Sequence, residues 1–401
     1  KKIIICWAMG LTQHKNGVAN IREVVNLLLL KGSVGKPGAG TCPVRGHSNV
    51  QGDRTMGIWE KPKAAFLDAL ERNFKFSPPR KHGYDTLEAI HAMKDEKAKV
   101  FFAMGGNFLS ATPDTLATAK ALQNCSLTVQ VSTKLNRSHL ITGKTALILP
   151  CLGRTERDIQ HGVPQFVSVE NSMGIVHASK GKLGPASSQL KSEPAIVAAL
   201  ARATFGVNAL PEWSEWTKNY DLIRDAIEKT IPGFEQYNQR VRQAGGFYLP
   251  NGARIGDFKT QTGKAQFSVN PLPQTHLKAG EYRMMTIRSH DQFNTTIYGL
   301  NDRYRGIYNG RRVAMMNEED MKANGWTAGE YVDLIGYFEG EERIAPHFML
   351  VPFDIPRTCI ATYFPEANVL VPLNSYADRS HTPASKLVII QLKKRDPVTT
   401  N

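Results

Sequence analysis

Between Gly38 and Gly57 the chain reads GAGTCPVRGHSNVQGDRTMG. Its glycines let the backbone approach a ligand closely. The core Arg45-Gly46-His47, flanked by Asn49 and Gln51, offers a guanidinium fork, an imidazole and two amides. That donor set suits an anionic or heteroaromatic partner. A long connector with solvated cations has the same composition, so spacing alone leaves both readings open. A second candidate is Gly105-Gly106-Asn107, at the end of an apolar run. Without Cβ atoms, backbone N–H groups there can face a phosphate beside a helix terminus, although a plain tight turn reads the same way. The third is the loop 288–301, RSHDQFNTTIYGLN, dense in hydrogen-bonding side chains just after a strand.

The elements that must position these residues follow in order. Residues 3–5 read as a buried strand entered at mid-sheet, as if this were part of a longer polypeptide. Asn20, with Glu23 in capping-box position, is expected to open a helix through Leu30. That helix is apolar on most faces, so burial is expected. Pro62 starts a second helix to about Arg72. Over 85–150 the pattern alternates: a helix at 86–94, a strand at 99–104, a helix opened by Thr112 and Pro113, and strands at 127–131 and 146–149. Such alternation predicts a parallel sheet with ligands beyond the carboxyl ends of its strands. Ser192 caps a helix that Pro194 enters and Gly206 ends. Trp213 and Trp216, three apart, read as core packing. From Glu281 six short β-rich runs predict a separate barrel or sandwich, with one helix capped by Asn317 and stopped by Gly325.

Composition excludes several classes. The chain has 401 residues, too many for one core, and its 41% hydrophobic and 21% charged residues suit a globular protein. No apolar run reaches membrane-span length. Lys and Arg number 50 against 36 Asp and Glu, a net +14 that suits a polyanionic partner. No arginine-rich block or aromatic-interleaved basic stripe is present, which argues against nucleic acid. Cys6, Cys42, Cys125, Cys151 and Cys359 are scattered, with no CxxC cluster, and the histidines form no HExxH. A protein-built metal site is therefore not expected, and an odd cysteine count points to a reducing, cytoplasmic setting.

PVRGHSNVQG resembles the PVRGQNNVQG-type segment of molybdopterin oxidoreductases, in particular the formate dehydrogenase alpha-subunit-like branch of the dimethyl sulfoxide reductase superfamily. Four further segments resemble that family in the same order: WAMGLTQHKNGVANI, ALILPCLGRTERD, NEEDMKANGWTAGEYVD and ANVLVPLNSY…HTPASK. The resemblance covers the whole chain but only the carboxyl-terminal half of a family member. It implies an α/β fold: Rossmann-like parallel-sheet pieces followed by a double-psi β-barrel. The pieces would be the end of one α/β domain (1–46), the second half of a cofactor-binding α/β domain (47–158), returning mixed segments (159–275) and the barrel (276–395).

The resemblance also implies a bis-molybdopterin guanine dinucleotide cofactor with molybdenum or tungsten, a small-molecule substrate and an electron-transfer protein partner. A 4Fe-4S cluster and the metal-ligating residue would lie in the absent amino-terminal part. Arg45 would be the metal-proximal cation. His47 stands where formate dehydrogenases have glutamine, which suits a proton relay and puts formate itself in question. Gly46, Asn49 and Gln51 would bind the cofactor from that loop, and Gly105, Gly106 and Asn107 would face one dinucleotide. Arg288, Gln292, Asn294, Thr295, Asn368 and Lys386 would hold the pterin and phosphates from the barrel. Ser132 and Thr133 stand where the family often has an aspartate for guanine, so guanine needs another or a shifted acceptor. A non-catalytic nucleotide-binding or scaffold protein on the same fold remains the alternative. A nicotinamide-type dehydrogenase is weaker, because no G-x-G-x-x-G follows the right strand.

Overall fold

A computed structural model describes residues 1–206 and 211–395. Two bodies of secondary structure matter for the site. The first is a three-stranded parallel sheet, β3 (Val100–Met104), β4 (Leu127–Ser132) and β5 (Thr145–Pro150), hydrogen-bonded in that order. Helices α3 (Thr86–Lys94) and α4 (Thr115–Gln123) cover one face. Leu87, Ile90, Met93, Ala121, Leu122 and Cys125 pack there, and Leu373 arrives from the far end of the chain. The opposite face packs Val131 and Cys151 against Ile196 of α5 (Glu193–Phe205).

The second body is a closed six-stranded barrel. Its strands are β9 (Glu281–Ile287), β10 (Val313–Met316), β11 (Tyr331–Phe338), β12 (Glu341–Pro352), β13 (Cys359–Tyr363) and β14 (Val388–Lys394). Around the barrel they run β9-β13-β10-β12-β11-β14, with β9/β13 and β10/β12 parallel and the other pairs antiparallel. Met284, Met316, Leu334, Phe348, Leu350 and Ile390 fill it. Closure leaves no free sheet edge. Residues 313–316 are buried on both faces, because Val313 and Met315 pack outward against Ile307 and Tyr363.

Smaller units bridge these bodies. Strands β1 (Ile4–Trp7) and β2 (Gly40–Pro43) form a two-stranded parallel sheet joined by α1 (Gly17–Leu30). Helix α2 (Val50–Thr55) follows the glycine-rich stretch, and β6 (Val167–Glu170), β7 (Ile175–Ser179) and β8 (Phe247–Tyr248) make an antiparallel sheet. Helix α6 (Tyr220–Thr230) lies between β7 and β8 in sequence.

Several expectations are corrected. The first strand is not buried at mid-sheet: β1 has a single neighbour and Ile4 is 55% exposed. Helix α1 is buried only at Gly17 and Leu28, and Leu30 faces solvent. Its cap position is Asn16, not Asn20, because the Asn20 amide is spent on the Leu11 carbonyl and on Asn16. The helix expected from Pro62 spans Ala64–Phe74 after an extended Lys63. Thr112 does not cap α4; its hydroxyl bonds back to the Phe108 carbonyl, and Asp114 caps Ala117 N–H instead. Where caps are purely local they stand as read: Ser192 caps α5 and Asn317 caps α7 (Glu318–Ala323). Trp213 and Trp216 pack edge-to-face with centroids 5.7 Å apart.

Candidate functional site

The glycine-rich stretch leaves β2 and reaches α2 through Asn49, which adopts φ 66°. Asn49 folds back over Gly52, where a Cβ would sit 2.0 Å from its Oδ1, so any larger residue there would displace the Asn49 amide. The same Oδ1 accepts the Glu170 N–H at 2.9 Å. Glu170, 7% exposed at the end of β6, accepts from Gln51 Nε2 at 3.1 Å and from the Thr55 hydroxyl at 2.5 Å. That fixes which way the Gln51 amide points. Its Oε1 is left to accept Arg45 Nη2 at 3.1 Å. Arg45 is exposed, aligned from below by a buried carboxylate two bonds away.

The neighbouring residues meet the barrel. A Cβ on Gly46 would lie 4.0 Å from Arg288 Nη2. Asn294 Nδ2 sits 2.7 Å from His47 Nε2. The next residue, Thr295, accepts Asn107 Nδ2 on its carbonyl at 3.3 Å. The loop 45–51, the 105–107 turn and the loop 288–301 are therefore brought together. In the turn, Gly105 and Gly106 have φ 69° and 75°, and nothing lies within 4 Å of where their Cβ atoms would be. Gly105 N–H donates to the Val131 carbonyl at 2.7 Å, and Asn136 Nδ2 supports the Gly106 carbonyl at 2.8 Å. The floor of the turn is open, with the Gly105 N–H and the Asn107 side-chain amide spent on the protein.

Other expected site residues have their side chains occupied by the protein. Gln292 Oε1 accepts Ser289 N–H at 2.9 Å and Arg311 Nη2 at 3.0 Å, while its Nε2 donates to the Asn294 and Phe364 carbonyls. Asn368 Nδ2 donates to the Ser110 and Thr112 carbonyls. Ser132 Oγ bonds His139 Nε2 at 3.1 Å, and Asn107 Oδ1 accepts the Ser138 hydroxyl at 2.8 Å. These groups hold the loops in shape. Thr133 instead lines a cleft beyond the carboxyl ends of β4 and β5, with Arg154, Lys180 and Glu193.

Two residues missed in the sequence organise the barrel loop. Arg311, its side chain 4% exposed, fans out to the Ser289 hydroxyl at 2.7 Å, Gln292, the Phe364 carbonyl at 2.8 Å and Glu366 at 2.8 Å. Asp302 receives the Tyr363 hydroxyl at 2.8 Å, Arg305 at 2.6 Å and the His290 N–H at 3.3 Å. Those contacts hold its carboxyl below the usual range despite burial. No local pattern marks either residue. A group with metal-ligand chemistry also exists: single ligand atoms of Asp85, Glu88 and His381 lie within 4.8 Å of one another. Asp85 and Glu88 are engaged in the capping box of α3, with His381 Nδ1 2.8 Å from the second Asp85 oxygen.

The electrostatics point one way. Lys386 donates to the Thr286 carbonyl, and burial together with Arg288 pushes its pKa down to about 8. Burial also lowers Arg288. His14 is lowered by burial, opposed by a bond to the Gly10 carbonyl and reinforced by Lys386. Gln13 carries this segment to the barrel, its Oε1 accepting the Ser385 hydroxyl at 2.8 Å. Among the described residues no carboxylate pairs with Arg288 or Lys386. Two crowded cations without an acid, one of them beside Gly46, fit a large anion, and a phosphorylated pterin is one.

Comparison with known proteins follows the same line. Residues 1–157 match the molybdopterin oxidoreductase family. An uncharacterised oxidoreductase of Mycobacterium tuberculosis is 55% identical over 98% of this chain and 51% of its own length. Formate dehydrogenase H of Escherichia coli is 32% identical over 32% of this chain and 19% of its own length. The chain spans about half the length of the curated relatives that match it throughout. Among solved structures, acetylene hydratase from Pelobacter acetylenicus shares the fold with a TM-score of 0.56 at 16% identity, over 95% of this chain and 59% of that one.

Proposed function

Because residues 1–157 belong to the molybdopterin oxidoreductase family, we propose that this chain is the carboxyl-terminal part of a formate dehydrogenase-like oxidoreductase. It would carry out two-electron chemistry on a small substrate. Its cofactor would be a bis-molybdopterin guanine dinucleotide with molybdenum or tungsten. The proposal includes a 4Fe-4S cluster elsewhere in the full-length protein, an electron-transfer partner and a cytoplasmic setting. It also reads 1–46, 47–158 and 159–275 as pieces of two interleaved α/β domains, and 276–395 as a double-psi barrel. What carries the reading is the pair Arg288 and Lys386, crowded and, among the described residues, without a carboxylate partner, with Arg288 beside Gly46 of the Arg45 loop.

In this reading Arg288 and Lys386 neutralise pterin and phosphate oxygens, and the Gly106 N–H supplies a backbone donor where no side chain blocks approach. The bound cofactor supplies the two-electron redox step; the chain supplies binding, orientation and charge. Arg45, steered by Gln51 and Glu170, presents its guanidinium at the mouth, where it orients an anionic substrate or stabilises developing charge. His47, held against Asn294 at the same mouth, offers an imidazole that can pass a proton between substrate and solvent. Histidine in place of glutamine separates this chain from formate chemistry, so the substrate is a small molecule other than formate in this proposal.

The test is Arg45→Ala in the full-length protein. Turnover is expected to fall by about 10²–10³, with molybdenum or tungsten and pterin content unchanged. Unchanged turnover would remove Arg45 from catalysis, absence of any turnover in wild type with an unchanged phenotype in Arg45→Ala would favour a non-catalytic binding protein on the same fold, and well-folded full-length protein without metal or pterin would end the proposal.

A further inference from the structure

Cys6 and Cys42 sit directly opposite each other in the β1/β2 ladder, in a register that runs Ile4↔Gly40, Ile5↔Thr41, Cys6↔Cys42 and Trp7↔Pro43. In-register residues of parallel neighbours share one face. Their strands lie about 4.8 Å apart, inside the roughly 4.4–6.8 Å Cα range that a disulfide spans. A hydrogen bond to the Cys6 sulfur holds the proton on the Cys42 thiol and raises it above the usual thiol range. The other three cysteines differ: Cys125 and Cys151 are buried, and Cys359 stands on the barrel.

We infer that Cys6 and Cys42 are a reversible disulfide-forming site at the root of the Arg45 loop. Among the described residues each of these strands pairs only with the other, so the register sets the two cysteines against each other with no strand between them. Cys6 is the exposed thiol and reacts first. Its thiolate attacks one sulfur of a low-molecular-weight disulfide and expels one small thiolate, leaving a mixed disulfide. The Cys42 sulfur then attacks the Cys6 sulfur and expels the second. Two protein thiols lose two electrons and two protons to become one cystine, and the small disulfide becomes two thiols. The ladder continues one step past Cys42, with Val44 N–H donating to the Trp7 carbonyl at 2.7 Å. Arg45 is the next residue, so the cystine would anchor the base of the loop that presents it.

The experiment incubates the full-length protein with oxidised glutathione, blocks remaining thiols by alkylation and maps peptides by mass spectrometry. The expected result is a peptide pair joined through Cys6 and Cys42, a loss of two alkylatable thiols, and their full return with dithiothreitol. Cys6→Ser and Cys42→Ser should each abolish the joined pair, and Cys359→Ser should leave it in place. Alkylation of both Cys6 and Cys42 after oxidation, a lasting glutathione adduct on Cys6, or a bond from either to another cysteine would overturn the inference. Wild-type mapping decides the matter even if a serine variant misfolds, and none of these outcomes depends on the cofactor reading.

Discussion

Lys386 is the residue at which the cost of the site is most directly measurable. An ordinary lysine titrates near 10.5, whereas burial and Arg288 bring this one to about 8. Below pH 8 both folded and unfolded chains carry the proton, and the penalty for burying the charge is fully present. Between pH 8 and 10.5 the unfolded chain still holds the proton that the folded one has lost, so stability must rise with pH across that window. Lys386→Met should therefore stabilise cofactor-free protein at pH 7 by on the order of 2 kcal/mol and flatten the rise. His14 and Arg288 face the same lysine and remain in the variant. Urea unfolding of wild type and Lys386→Met at several pH values between 7 and 10.5 measures both effects. Equal slopes would show that the ammonium is hydrated rather than confined. The same substitution should weaken cofactor retention, because a stability gain that costs binding is what a charge kept for a ligand produces.

At the scale of elements, the loop 288–301 is set by a residue that comes after it. Arg311 opens its fork onto Ser289, Gln292 and the Phe364 carbonyl, with Glu366 behind. Lysine has one point charge and cannot bond all of these at once. Arg311→Lys should cost about 2–4 kcal/mol through unsatisfied buried groups, and the full-length protein should lose cofactor while its barrel circular dichroism persists. Retained cofactor with a normal unfolding midpoint would remove Arg311 from this role. The example also shows why the sequence was only partly readable. The density of polar side chains in 288–301 was evident, but Gln292 and Asn368 looked like ligand contacts because their partners lie up to 258 positions away. Caps at Ser192 and Asn317 were legible because donor and acceptor sit within three residues. Asn20 and Thr112 misled because other acceptors, Leu11 and Phe108, competed for the same side chains. Glu170, which aims Gln51 and so Arg45, ends an ordinary strand and leaves no trace in local pattern.

At the scale of the whole molecule, the site exists because the parallel sheet and the barrel are held at a fixed distance. Asn107–Thr295 joins the sheet to the barrel and His47–Asn294 joins the glycine-rich loop to it, and each is one hydrogen bond. Stronger fasteners lie behind them. Arg343 of β12 donates Nε to Asp114 at 2.7 Å, with side-chain exposures of 12% and 8%. Asp114 also caps α4, and its N–H donates to the Asn368 carbonyl at 3.0 Å. Arg343 Nη2 also pairs with the exposed Glu341 at 2.6 Å, whereas its Nη1 has no partner among the described residues, so losing Asp114 leaves the buried part of the guanidinium without an acid. Asp114→Asn keeps a capping oxygen and removes the charge, while Arg343→Met keeps much of the stem volume. Each single variant should destabilise the full-length protein by about 2–4 kcal/mol, since it strands a buried charge. The double variant should cost at least about 1 kcal/mol less than the sum. Denaturant unfolding of the four proteins gives that coupling, and metal content of the same samples tells whether docking governs the site. Additive losses would mean that the ion pair does not join the two bodies. Coupled losses with undiminished metal would mean that it joins them but that the crossing bonds at His47 and Asn107 suffice for the cofactor.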